Sequence, residues 1–386
     1  MPNPSRLTIT DVRLVRLKVM EEVGMLEPAW DPGGALHFRR GGGGYVAIHT
    51  DAGLVGIGPV CEAQLLPTIK SHLLGQDPFD IEQHVATLRY YAQGLPYRGT
   101  AGIDIALWDL IGKACGQPLY KLWGGGKDKV VPYASLIRLS TPEERARQAM
   151  ALLHDGWKAV KLRLHHATLQ EDIRTVEAVR QAVGDAMVIL VDANQAQSSG
   201  NWQPGIRWTF QRAVDTAREL RQLGCAWLEE PLPRYAMSQL AELRQRVELP
   251  IAGGENNVGI HEFLHMLQVG AYDILQPESL VLEGISTVRK IGVLAEAFGK
   301  QIVPHHGAWQ LGVVAHLHMV AACPNAPYLE LLHDPPIGDY RHGLAIFQDS
   351  PSVEQDGYIR VPQGPGLGVD INPELVEETL EGGMQC

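Results

Sequence analysis

The sequence predicts an α/β fold: a (β/α)8 TIM-like barrel with an N-terminal α+β capping domain completed by the C-terminal tail. Three observations carry this reading. Apolar strand-like cores recur near Val131, Val160, Leu190, Trp227, Ile251, Ile274, Ile302 and Leu329, roughly 25–40 residues apart and alternating with amphipathic helical stretches, as successive βα units require. Six segments end such a run with groups that hold a metal or move a proton: 159–163, 191–194, 227–231, 252–256, 275–278 and 303–306. In a barrel every strand's C-terminal end points into one shared mouth. Before residue 127 the periodicity is different, first of period two and then helical.

From about Leu7 to Val60 apolar and polar residues alternate, with turn-like Gly41–Gly44 and Asp51-Ala52-Gly53, which predicts an antiparallel meander and a mobile glycine turn. From Leu65 to about Leu122 apolar residues recur three and four apart until Gly116 and Gly124-Gly125-Gly126 stop them. Residues 1–127 therefore form the cap, 128–352 the barrel, and 353–386, turn-rich around Asp356-Gly357 and Gly364–Gly368, a segment returning to the cap. The stretch Glu22–Gly34, between two predicted strands, mixes glycine, proline and Trp30. It reads either as a lid that closes Trp30 over a ligand or as a surface loop with Trp30 packed on the barrel rim.

A chain of 386 residues with 45% apolar and 20% charged residues has ample core for this division. No apolar run is long enough to span a membrane and no apolar leader precedes the first strand, so the expected location is cytoplasmic with no membrane partner. Five cysteines without a CxxC pair point to reduced thiols. A net charge of −11 opposes a nucleic-acid partner and suits a divalent cation.

Asp192, Glu229 and Glu255 close the third, fourth and fifth strands and are neighbours around the mouth. Adjacent carboxylates repel unless a cation sits among them, and an all-oxygen set favours Mg2+ over Zn2+; singly, each also suits helix capping. Asn194 supports the site, and Glu230 is expected to pair with a cation from the next loop. Lys161 and Arg163, two apart on the second strand, point inward, either as proton-transfer groups or as salt-bridge partners of the acidic ring. His305, oriented by Glu278, flanks the opposite side as a base able to take an α-proton from a carboxylate bound to the metal.

These residues resemble the enolase superfamily, specifically its mandelate racemase subgroup. The resemblance spans nearly the whole chain: the cap, the KxK-like Lys161-Leu162-Arg163, the carboxylate triad, the dyad on strands six and seven, Glu330 ending strand eight, and Gly364-Pro365-Gly366-Leu367-Gly368. It implies that Arg163 faces the substrate carboxylate, that His305 is base or acid, that Glu330 donates a hydrogen bond to the enediolate, and that the protein is a homo-oligomer. Two departures matter. Arg163 stands where the family usually has a lysine, and arginine is a poor base; Glu278 stands where the histidine's partner is usually aspartate. A single competent base fits β-elimination of water better than racemisation, although Lys161 could restore the second base. The leading reading is thus a hydro-lyase acting on an acid sugar, a small-molecule carboxylate with several hydroxyls, which His165, His166 and His306 could contact. A racemase or epimerase is the alternative, and a non-catalytic sugar-acid binding protein is a third class.

Two motifs compete. His261-Glu262-Phe263-Leu264-His265 matches the HExxH pattern of zinc peptidases, but falls on a helix expected outside the barrel. His316-Leu317-His318 resembles a metal-binding HxH, but residues two apart diverge by about 200° on a helix, so the pair reads as packing.

Overall fold

Residues 6–91, 99–198 and 202–380 are described in the computed structural model of the chain. The cap opens with β1 (Ile9–Leu17), β2 (Val19–Leu26), β3 (Leu36–Gly41), β4 (Gly44–Thr50) and β5 (Val55–Pro59), followed by α1 (Leu66–Leu73), α2 (Ile81–Tyr91), α3 (Ala101–Cys115) and α4 (Leu119–Leu122). The simple meander expected here does not form. β1 pairs with β4, and β2 and β3 make a separate two-stranded ribbon. Gly41, Gly42 and Gly43 all adopt left-handed φ values of 73°, 72° and 77°, which side-chain-bearing residues rarely adopt, and this turns the ribbon out of the sheet. Far from being loose, the glycine turn is held at both sides. Gly42 donates to the Lys18 carbonyl at 2.8 Å and the Gln310 amide donates to the Gly42 carbonyl at 2.8 Å.

The barrel alternates β6 (Lys129–Ser135), α5 (Pro142–His154), β7 (Ala159–Arg163), α6 (Leu169–Val183), β8 (Val188–Asp192), α7 (Phe210–Gln222), β9 (Leu228–Glu229), α8 (Met237–Arg246), β10 (Ile251–Gly253), α9 (Gly259–Val269), β11 (Ile274–Leu275), α10 (Ile285–Ala297), β12 (Gln301–Ile302), α11 (Leu311–Ala322) and β13 (Tyr328–Leu332). The eight strands pair in parallel in the order β12-β11-β10-β9-β8-β7-β6-β13. Closure comes from packing. Tyr133, Ala159, Leu190, Trp227, Ala252, Ile274, Val303 and Tyr328, one from each strand region, form an interior layer in which the Tyr133, Trp227 and Tyr328 rings meet edge to face at 5.8–6.4 Å. Alternation then decides the rest: on β7, Val160 and Leu162 pack outward in the main core while Ala159, Lys161 and Arg163 line the interior.

After α12 (Tyr340–Leu344), the tail first lays β14 (Ile359–Arg360) antiparallel on β6, then adds β15 (Val376–Leu380) to β1. It therefore touches the barrel before it reaches the cap. The β2–β3 ribbon lies over the C-terminal end of the barrel, with Phe38, Leu26, Leu36 and Trp30 clustered on Ile137, Leu332, Trp309 and Ile337. Glu22 to Leu26, expected in a loop, belong to β2, which pairs antiparallel with β3 from Glu22 opposite Arg39 to Leu26 opposite Leu36. Cys61, Cys115, Cys225 and Cys323 are free thiols, and Cys386 lies outside the described residues. No described helix is long and apolar enough to cross a membrane.

Candidate active site

Short strands ending at the mouth bring Asp192, Glu229, Glu255, Lys161, Arg163, Glu330, Asn194, His165, Glu278, His305 and His306 into one contact network, with Trp30 on Arg163. Asp192, Glu229 and Glu255 each offer a carboxylate oxygen within 4.8 Å of the others, and all three are buried. Burial and the neighbouring Asp192 raise the Glu229 carboxyl above its ordinary range, the cost of crowding like charges in a dry site. An all-carboxylate set with atoms this close fits a hard divalent cation. Glu255 is also held by Gln197 at 3.1 Å and Asn256 at 3.0 Å, and Glu229 by Gln276 at 2.7 Å; Gln197 and Gln276 are contacts the sequence pattern did not reveal.

Lys161, fully buried, lies 2.7 Å from Glu229, 2.8 Å from Glu330 and 3.5 Å from Asp192. Burial alone would lower its pKa, but Glu229 and Glu330 outweigh it and hold the ammonium charged. The same pair acts on Glu330: burial would raise its carboxyl, Lys161 pulls it below the ordinary range, and the group is ionised. Glu330 stands beside Lys161 as an ion pair, and its buried oxygens have no hydrogen-bond partner among the described residues.

Arg163 donates from Nε to the Leu136 carbonyl at 2.7 Å, from one terminal nitrogen to Asp192 and to Asn194 Oδ1 at 3.1 Å, and from the other to Ser135 Oγ at 2.9 Å. Four of its five N–H groups are thereby engaged, and Asp192 keeps it charged against the opposing effect of burial. The Trp30 ring and the Arg163 guanidinium lie 4.6 Å apart, and Trp30 packs on the cluster of Phe38, Ile137 and Leu332 at the rim. His165 Nε2 donates to Asn194 Oδ1 at 3.0 Å, and burial, partly offset by that bond, lowers its pKa to about 4, leaving it neutral.

Across the mouth, His305 Nδ1 faces Glu278 Oε2 at 2.9 Å, and its Nε2 lies 3.3 Å from Glu255. The carboxylate fixes the proton on Nδ1 and directs Nε2 to the triad side. Burial would lower the pKa of His305, but Glu255 and Glu278 outweigh it and raise it to about 9. His306 lies against His305 with ring centres 3.9 Å apart and planes tilted by 44°, its Nδ1 donating to the Ala308 carbonyl at 2.9 Å. Burial and then His305 lower its pKa to about 3, so it is neutral.

Other expectations fall outside the network. His166 is bound to Asp172 at 2.9 Å, and Arg212 reaches the same carboxylate at 2.7 Å, so this histidine braces the start of α6. In the HExxH segment His261 and His265 are exposed, and Glu262 accepts from Asn257 at 2.8 Å and from the Val258 amide at 3.3 Å, capping its own helix α9. Glu230 pairs with no cation among the described residues. Its two buried oxygens have no partner, while Arg234 turns to the Ala196 and Gln197 carbonyls. His318 accepts from the Tyr120 amide and binds the Leu367 carbonyl, as packing predicts, but its neighbour His316 faces the dyad.

Fold and site together define a capped-barrel enzyme with a carboxylate triad opposite a histidine–carboxylate dyad. Residues 144–375 match the enolase C-terminal domain-like family and residues 44–124 the mandelate racemase / muconate lactonizing enzyme N-terminal domain. The chain belongs to the mandelate racemase/muconate lactonizing family of the enolase superfamily. It is 33% identical to an arabinonate dehydratase of Saccharolobus solfataricus over 86% of this chain and 88% of the relative. It is 30% identical to a D-galactarolactone cycloisomerase of Agrobacterium fabrum over 89% and 93% respectively. Among solved structures, a D-glucarate dehydratase from Agrobacterium tumefaciens complexed with magnesium superposes with a TM-score of 0.78 at 29% identity, covering 95% of this chain and 97% of that one.

Proposed function

We propose that the protein is a Mg2+-dependent acid-sugar dehydratase that converts a 2,3-dihydroxy carboxylate to a 2-keto-3-deoxy acid. One asymmetry carries the reading. On one side of the mouth His305 is a titratable base oriented by Glu278; on the other, Lys161 and Arg163 are held as cations by ion pairs with the acidic ring. A site with one competent base suits elimination, whereas racemisation needs one on each face.

Asp192, Glu229 and Glu255 would hold the Mg2+, and the bound ion would supply positive charge to the substrate carboxylate as the α-proton leaves. His305 Nε2 takes that proton. The electron pair freed from the C–H bond forms the enediolate, then the C2–C3 double bond as the C3–O bond breaks. The leaving hydroxyl takes the proton back from His305 and departs as water, and the enol tautomerises to the ketone. Lys161, with Glu330 holding it, stabilises the developing oxyanion. Arg163 steadies Asp192 and has one N–H left for the substrate carboxylate. Asn194, His165, His306 and Trp30 line the space for the hydroxylated chain. The similarity to dehydratases supports this assignment.

The test is a panel of mono- and diacid sugars assayed for 2-keto product, first with Mg2+ and then with chelator. Chelator-sensitive keto acid from at least one is expected. Epimerised or ring-opened lactone product without keto acid would replace dehydration by isomerisation.

A further inference from the structure

His316 sits on α11, eleven residues beyond His305, fully buried beneath the dyad. Its Nδ1 donates to the backbone carbonyl of His305, its Nε2 accepts from the Ser279 amide at 3.4 Å, and the same nitrogen lies 3.8 Å from Glu278 Oε1. The acceptor at one nitrogen and the donor at the other specify a single neutral tautomer, which burial favours.

The chain between the two histidines is folded to permit this. It turns back on itself at Gly307 and Gly312, where a side-chain carbon added at Gly312 would fall 2.0 Å from the Gly307 carbonyl. Ala308 and Gln310 sit in left-handed backbone at φ values of 55° and 62°. Strain of this kind persists only where surrounding contacts hold it. Here they are Gly307 N to Glu278 Oε2 at 2.9 Å, Gln310 to Gly42, and His316 to His305.

We propose that His316 is a positioning residue for the proton transfer: by gripping the His305 carbonyl and the Ser279 amide it sets the orientation of base and partner together, without touching the substrate. The inference rests on the reading of His305 as the base. His316 links strand seven's loop to strand six's loop from behind, so the imidazole of His305 and the carboxylate of Glu278 move as one unit. A loosened dyad still binds substrate but transfers protons more slowly.

The test compares His316→Asn with His316→Gln, alongside His305→Asn, by α-proton exchange in D2O and steady-state turnover with Mg2+. The asparagine amide falls where Nδ1 does and keeps the donation to the His305 carbonyl, losing only the longer 3.4 Å contact with the Ser279 amide; the glutamine amide overshoots the carbonyl and loses the shorter contact. His316→Asn is expected to keep kcat within about threefold of the parent, and His316→Gln to lose about tenfold or more, with KM near the parent value in both. Equal rates in the two variants, or a loss confined to KM or to Tm, would overturn the proposal. If His305→Asn is inactive while both His316 variants turn over normally, only the role of His316 fails; exchange surviving in His305→Asn removes the base assignment and this inference with it.

Discussion

At the scale of the residue, Lys161, Arg163 and His305 are all basic groups aimed at one cavity, and their partners decide which of them can take a proton. Lys161 is pinned by Glu229 and Glu330, and Arg163 by Asp192. His305 alone pairs an anionic partner with a pKa, about 9, that reaches its neutral form within a workable pH range. A base works only when neutral, so activity should climb with pH through the His305 titration. Glu278→Gln removes one of the anions that stabilise the imidazolium and so lowers its pKa. The climb should begin at lower pH, while the plateau rate falls by about ten- to a hundredfold because the ring is less well oriented. A pH–rate profile whose acid limb stays in place, or moves to higher pH, would contradict this. The acidic and basic groups of the site were legible because each ends an apolar run. Gln197, Gln276 and Ser135 were not, since a neutral amide or hydroxyl near a strand end has no pattern to set it apart.

Among the elements, the eight barrel strands announced themselves by spacing, and six of them also by the charged groups or histidines at their ends. The β2–β3 ribbon did not, because period two specifies a strand but not its partner, and the pairing was decided by three left-handed glycines. Helix α9 shows how a motif can mislead. Its HExxH spacing is real, yet the exposed histidines do not converge, and Glu262 serves as an N-terminal cap. Glu262→Ala should therefore lower unfolding free energy by about 1 kcal/mol, as loss of a cap does, and leave turnover unchanged. Denaturant unfolding with a parallel activity assay measures both, and a variant that loses activity but not stability would return function to this helix. Helix α11 carries the opposite lesson: a motif dismissed as packing places one histidine against the tail and the other against the dyad.

For the whole molecule, the cap matters because its ribbon crosses the barrel mouth, bringing Trp30 onto Arg163 and the glycine turn onto Gln310. That the cap precedes the barrel was readable from the change of period at about residue 127. That the tail would rest on β6 before joining β1 was not, since a two-residue strand leaves almost no sequence trace. Trp30→Ala should raise KM more than it lowers kcat, since it opens the cover but leaves the proton-transfer groups in place; unchanged kinetics would show that the ring is only rim packing. The account as a whole stands on His305 as the sole base. The direct measurement is α-proton exchange in D2O, followed by proton NMR on an acid sugar that the parent enzyme dehydrates, in the presence of Mg2+. His305→Asn should lose exchange and dehydration together while still binding the substrate, and Lys161→Met should retain detectable exchange. Exchange that survives in His305→Asn and vanishes in Lys161→Met would put the base on the second strand and make racemisation or epimerisation the chemistry of the site.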